Sequence, residues 1–377
     1  MGVIGFVFGR ILPATVLALA VIIGWLSRQE CPEGVFFATF IPLFKGHLPP
    51  AIFGHGRMSG TMDVPEDMLP QRRPKKEMFL TLPGNHKMPQ NGIGMCCRPT
   101  AYDDELVRRS VLWYLLSGGR LIDTAHLYLN HQAIGQAIKQ AIDRGVPRTE
   151  IFVTTKIWPS NYGRNATKDA VQLFLQELDL EYVDLVLMHQ PRGLPFMKTE
   201  CSKAALSHKE CRQETWKSLT DLRHAGLTKN VGISNFNTKQ IKELQDLKLA
   251  PIAVHQMQYN LWAPDHSVET FEYCQKHKIA VTAYASLGGL FQHSQTLTID
   301  TLNAIADKHD KTVAQIMLRW ALQKNAAIIP GTGNPKHMME NLDVYNFKLS
   351  KEDMDNLEEL RSDEMAKSFF YMPTDDS

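Results

Sequence analysis

The chain has 377 residues, a formal net charge of +1, 44% hydrophobic and 21% charged residues. That length admits one large domain or two ordinary ones, and the composition is that of a globular protein with a sizeable core. The near-neutral charge gives no footprint for a nucleic-acid partner.

Six cysteines (Cys31, Cys96, Cys97, Cys201, Cys211, Cys274) are too scattered for a zinc motif or a disulfide framework. Cys201 and Cys211 could pair in an oxidising lumen, but they read as two unpaired thiols.

Residues 1–28 stand apart. Val3 to Phe8 is apolar, Arg10 interrupts, and Ile11 to Leu26 then runs sixteen residues without a charge. This is long for a secretory signal and slightly short for a bilayer span, and Gly24-Trp-Leu-Ser-Arg28 offers no small-x-small cleavage site. We read an uncleaved, single-pass signal anchor or transmembrane helix, against a cleaved signal peptide or a buried core helix. Residues 29–76 show no sustained period. Prolines 32, 42, 49, 50, 65, 70 and 74 and the basic Gln71-Arg-Arg-Pro-Lys-Lys76 mark them as a linker.

A compact domain is expected over 77–377. Phe79–Leu82, Pro83-Gly-Asn-His86 and Lys87-Met88 read as a β-hairpin with Gly-Asn turn chemistry. From Gly92 onwards, short apolar runs alternate with amphipathic helical patterns. The runs end at Asp123, Lys156, His189, Ser234, Gln256–Gln258, Tyr284 and Pro330. Eight strands with intervening helices over about 250 residues are the (β/α)8 TIM-barrel pattern. A doubly wound sheet is the alternative, but no Gly-x-Gly-x-x-Gly opens a helix.

A parallel barrel collects the C-terminal ends of its strands on one face. Asp123, Lys156 and His189 fall 33 residues apart each time, and Tyr128 follows Asp123 by five. Such a barrel therefore brings an Asp, a Tyr, a Lys and a His into one site. A phenol is a poor acid at neutral pH, and a nearby ammonium favours the phenolate. Lys156 would supply that charge, Asp123 would hold the lysine, and His189 would orient a carbonyl oxygen or relay a proton. Singly, each residue is equally at home as a buried ion pair, a rim aromatic or a core histidine.

Asp123-Thr-Ala-x-x-Tyr128-x-Asn130, Thr155-Lys156 and Leu187-Met-His189-Gln-Pro191 resemble the signatures of the aldo-keto reductases. The likeness extends through Gly232-Ile-Ser-Asn-Phe236, Gln256, Ala283-Tyr284-x-x-Leu287-Gly288 and Ile329-Pro-Gly-Thr332…Glu340-Asn341, and covers residues 79–361.

The resemblance implies a (β/α)8 barrel that reduces aldehydes and ketones with NADPH, with Tyr128, Lys156, Asp123 and His189 as its tetrad. It also implies cofactor contacts at Ser234, Asn235, Gln256, Tyr284, Leu287, Gly331, Thr332, His337, Glu340 and Asn341. Trp158 and His189 would meet the substrate, with Gly193–Lys209 and the aromatic tail Phe369-Phe370-Tyr371 near the mouth.

The chain departs from the family at several places. Gly331-Thr332 and His337 replace the usual Lys-Ser and Arg at the 2′-phosphate, so the resemblance implies NAD(P)H use more firmly than a preference for NADPH over NADH. His255 replaces an Asn, and His131 an acid. The loop after Tyr284 is short, which implies looser closure over the cofactor.

Three readings compete. The first is a membrane-tethered carbonyl reductase, with the endoplasmic reticulum as one candidate membrane, or a cytoplasmic or organellar enzyme if the leader is otherwise processed. The second is a nicotinamide-binding redox sensor for a membrane partner. The third is a Schiff-base lyase using Lys156. Asn165-Ala-Thr167 is a glycosylation sequon, meaningful only if the domain is lumenal.

Overall fold

The computed structural model describes residues 63–72, 76–96, 101, 103–193, 198–288 and 299–361. The expected anchor at 1–28, the aromatic tail and most of the loop after Tyr284 lie outside those residues. Among the described residues no helix is long and apolar enough to cross a membrane.

The hairpin forms as read. Strands β1 (Phe79–Thr81) and β2 (Lys87–Pro89) pair antiparallel with Leu80 opposite Met88. Gly84 (φ 76°) and Asn85 (φ 63°) both sit in the left-handed region that this turn requires.

Eight parallel strands follow in chain order: β3 (Gly92–Gly94), β4 (Leu121–Asp123), β5 (Phe152–Ile157), β6 (Val183–Met188), β7 (Thr228–Ser234), β8 (Val254–Gln258), β9 (Ala280–Tyr284) and β10 (Ala326–Ile328). A parallel bridge between Asn91 and Ile328 closes the ring, and the Ile328 N–H donates to the Gln90 carbonyl at 2.7 Å.

The connecting helices are α1 (Asp104–Leu116), α2 (His131–Asp143), α3 (Arg164–Leu178), α4 (Glu200–Lys203), α5 (His208–His224), α6 (Thr238–Gln245), α7 (Asp265–Lys276), α8 (Asp300–His309), α9 (Val313–Gln323), α10 (Pro335–Leu342) and α11 (Lys351–Glu358). Asp103, Ser207, Asn237, Thr312 and Ser350 start their helices by accepting a backbone N–H in the first turn.

Strand alternation sorts the side chains. Ile122, Val153, Val186, Val231, Ile233 and Val281 face outward and pack under the helices. Leu121, Phe152, Leu185, Val254 and Ala327 face inward, where Leu80, Leu82 and Met88 of the hairpin join them. The hairpin is thus the floor of the barrel, and the next inward positions along the strands belong to polar residues. Gly232 lies in this interior. A Cβ there would meet the Val254 carbonyl at 2.3 Å, so only glycine allows β7 and β8 their spacing.

Two features differ from the sequence reading. Residues 63–72 lie on the barrel. The Gln71 N–H donates to the Leu116 carbonyl at 2.6 Å, Arg109 pairs with Asp63 at 3.1 Å, and Val64 and Met68 pack against the outer core. Cys201 and Cys211 were expected as thiols but form a disulfide, with Cα atoms 5.5 Å apart. The single turn of α4 folds Cys201 back onto the start of α5. Cys96 is also disulfide-bonded, whereas Cys274 is free and buried.

Candidate active site

Asp123 ends β4 and Lys156 lies on β5, both pointing inward; His189 directly follows β6. Tyr128 comes from the turn after β4, where Leu129 adopts a left-handed conformation (φ 57°). All four side chains are buried, Lys156 completely.

The Lys156 ammonium has three N–H bonds and all are used. They go to Asp123 Oδ2 at 2.6 Å, the Thr124 carbonyl at 3.0 Å and the Tyr128 hydroxyl at 3.3 Å. Gln256 Nε2 donates to the other carboxylate oxygen of Asp123 at 2.6 Å. The carboxylate is therefore held on both sides and aims the ammonium at the phenol.

Burial lowers the Lys156 pKa, and the Asp123 charge opposes that pull. His189 Nε2 lies 3.4 Å from the Tyr128 hydroxyl. Burial, and then the Lys156 charge, hold this imidazole well below its usual value, so it is neutral at pH 7. Among the described residues His189 Nδ1 finds no hydrogen-bond partner.

Trp158 stands edge-on to His189, with ring centroids 5.1 Å apart, on the same rim. The strand-end residues Ser234, Asn235, Gln256 and Tyr284 line the next sector. Asn235 (φ 64°) donates to the His189 carbonyl at 3.0 Å and to Ser234 Oγ at 3.1 Å, and accepts from the Tyr284 hydroxyl at 2.7 Å. Leu287 follows in the turn after β9, partly buried against the outer core. Gly331 and Thr332 lie between β10 and α10, and His337, Glu340 and Asn341 lie on α10 with His337 exposed.

Several supporting residues carried no sequence signal. Tyr162 donates to the Gln190 carbonyl at 2.5 Å, and Arg212, ion-paired to Glu243 at 2.6 Å, donates to the Pro191 carbonyl. Together with Asn235 they fix the backbone that carries His189.

Glu177 on α3 anchors the Tyr128 turn from both sides. Its carboxylate lies 3.7 Å from His126 and 2.9 Å from His131 Nδ1, and His131 Nε2 meets Thr155 Oγ1 at 2.9 Å. Burial alone would raise the Glu177 carboxyl, but the hydrogen bonds from His126 and His131 outweigh it and hold it at about 2. Glu177→Gln should loosen this turn and lower turnover roughly tenfold with little change in substrate KM, since misplacement of a reacting group acts on kcat. Steady-state rates measure it; unchanged kcat would make the cluster merely structural.

Over residues 91–362 the sequence matches the family model described as Aldo/keto reductase family. The chain belongs to that family. It is 34% identical to the 9,11-endoperoxide prostaglandin H2 reductase of Trypanosoma cruzi (strain CL Brener) over 285 residues, 75% of this chain and 92% of that protein. It is 33% identical over 308 residues to the NAD(P)H-dependent D-xylose reductase I,II of Candida tropicalis, covering 74% and 91%. The crystal structure of Bombyx mori aldo-keto reductase AKR2E4 in complex with NADP superposes with a TM-score of 0.67 at 29% identity, covering 77% of this chain and 94% of that one.

The buried imidazoles should make this aldo-keto reductase less stable in acid. Burial holds His131, His189 and His255 below the usual 6.5, His255 at about 3. The folded chain keeps them neutral while the unfolded chain protonates them, so their contribution is complete above pH 6.5 and is lost as pH falls. Thermal unfolding should show a loss of stability as pH falls below 6.5, with His255 alone contributing on the order of 1 kcal/mol per pH unit towards about pH 5. A flat profile there would contradict the burial.

Proposed function

We propose that this aldo-keto reductase reduces aldehydes and ketones to alcohols with NADPH, and accepts NADH as an alternative donor. Tyr128 is the proton donor and Lys156 the charge that stabilises its phenolate. Asp123 aims the lysine, and neutral His189 orients the carbonyl oxygen. The observation that carries this is the saturated ammonium of Lys156. With two of its N–H bonds committed to Asp123 and Thr124, the third points at the Tyr128 phenol.

That geometry also speaks against a Schiff-base role, which needs a free amine.

The dinucleotide, when bound, supplies a hydride to the carbonyl carbon. The residues present fit its nicotinamide end. Ser234 and Gln256 present a hydroxyl and a carboxamide oxygen from adjacent strand ends, and Tyr284 offers an aromatic face. Asn235 is engaged within the protein at both ends of its amide, so we assign it to setting Ser234 and Tyr284. Gly331 and Thr332 before α10, with Leu287, His337, Glu340 and Asn341, would take the rest of the cofactor. His337 in place of an arginine is the reason NADH is included. Trp158 and His189 form the substrate wall. Developing negative charge on the carbonyl oxygen would be met by the Tyr128 proton, and the phenolate left behind by the Lys156 charge.

The sixteen uncharged residues from Ile11 to Leu26 support a single-pass anchor holding this barrel at a membrane. Carbonate extraction of membranes tests it.

The catalytic reading is tested by mixing the purified chain with NADPH or NADH and a panel of small aldehydes and ketones. Oxidation of NADPH dependent on a carbonyl is expected. Dinucleotide binding with no turnover on any member of a broad panel would instead favour the sensor reading.

A further inference from the structure

We propose that the barrel resides in an oxidising lumen and carries an N-linked glycan on Asn165. This deepens the anchor reading and is independent of the catalytic one. Two observations meet at one place on the surface.

The first is the cysteine chemistry. Cys201 and Cys211 are joined, both nearly buried, and Cys96 is disulfide-bonded as well. Lasting structural disulfides belong to oxidising compartments, since cytosolic thiol systems keep cysteines reduced.

The second is Asn165-Ala-Thr167, with no proline in the middle position, the one such triplet in the chain. Asn165 lies exposed in the first turn of α3, on the loop side of β5, which is the end of the barrel that holds the site.

Glu200 links the two features. Glu200, next to Cys201, accepts the Asn165 N–H at 3.1 Å and the Ala166 N–H at 2.7 Å. Asn165 Nδ2 also donates to Glu200 Oε1 at 3.3 Å. The disulfide therefore secures the helix start that bears the sequon.

Glycosylation would join Asn165 Nδ2 to the anomeric carbon of an oligosaccharide. The bond from that carbon to a lipid pyrophosphate carrier breaks, and the amide proton leaves with the freed pyrophosphate. One N–H remains on Nδ2, enough for its bond to Glu200. Thr167 is buried in the fold and donates to the Asn161 carbonyl at 3.1 Å, which places the modification before folding, when the triplet is still accessible.

The test expresses the full chain in eukaryotic cells. A mobility shift removed by peptide N-glycosidase is expected for the wild type and for Thr167→Ser, and no shift for Asn165→Gln. Asn165 is exposed, so the glutamine variant keeps the fold, and the serine variant keeps both the sequon and the hydroxyl. Alkylation before reduction should leave Cys201 and Cys211 unlabelled by mass spectrometry. A wild-type chain without the glycosidase-sensitive shift, or with those two cysteines alkylated, overturns the proposal.

Discussion

Tyr128→Phe is expected to lower turnover by roughly 10²-fold or more, the usual worth of a positioned general acid, while dinucleotide affinity stays within about twofold. The substitution removes one oxygen and keeps the ring, so its T-shaped contact with His189 persists. What disappears is the proton that the emerging alkoxide needs and the acceptor for the third N–H of Lys156. The folded state should lose about 1–3 kcal/mol, because the hydroxyl's bonds to Lys156 and His189 go but no charge pair is broken. The decisive comparison is kcat against KM. An interaction made in the transition state alone lowers kcat and kcat/KM together and leaves KM in place. Fluorescence titration of the dinucleotide and steady-state rates report the two halves. Full turnover in the phenylalanine variant would refute the acid role of Tyr128 and pass it to Lys156 or His189, the titratable groups beside the same point.

The strand–helix rhythm that predicts this barrel is legible because burial imposes it. A strand sealed on both faces must be apolar until it reaches the mouth, so an ionisable residue ending such a run marks the mouth. That is why Asp123, Lys156 and His189 could be found by spacing and prove to meet. Partnerships across elements left no such mark. Glu177 reads as one more charge on a helix, and only the packing of α3 against α2 brings it between two histidines. Gln256 reads as a nicotinamide contact from its motif, yet its amide also steadies Asp123, 133 residues away. The Cys201–Cys211 pair escaped because it depends on α4, a four-residue turn whose own start signal is Thr199 and Ser202 rather than the commoner Ser/Thr with Glu/Gln.

Lys156→Met separates stability from catalysis at this site. The methionine fills the space but leaves the Asp123 carboxylate, 3% exposed, with Gln256 as its remaining donor among the partners named. Breaking a buried pair from one side costs about 3–5 kcal/mol, so the single variant should unfold well below the wild type. Turnover should fall at least as far as for Tyr128→Phe, roughly 10²- to 10⁴-fold, because no cation then faces the phenol. Asp123→Asn alone leaves the ammonium uncompensated and should also destabilise. The double variant Asp123→Asn with Lys156→Met buries no charge, and its loss of stability should be smaller than the sum of the two by at least about 2 kcal/mol. Its turnover should nevertheless stay at the Lys156→Met level, since a neutral pair restores the core and does not restore the charge beside Tyr128. Denaturant unfolding and steady-state rates on the four proteins complete the cycle. Recovery of turnover along with stability would mean that the ion pair serves only to hold the barrel together, and the catalytic role of Lys156 would fall with it.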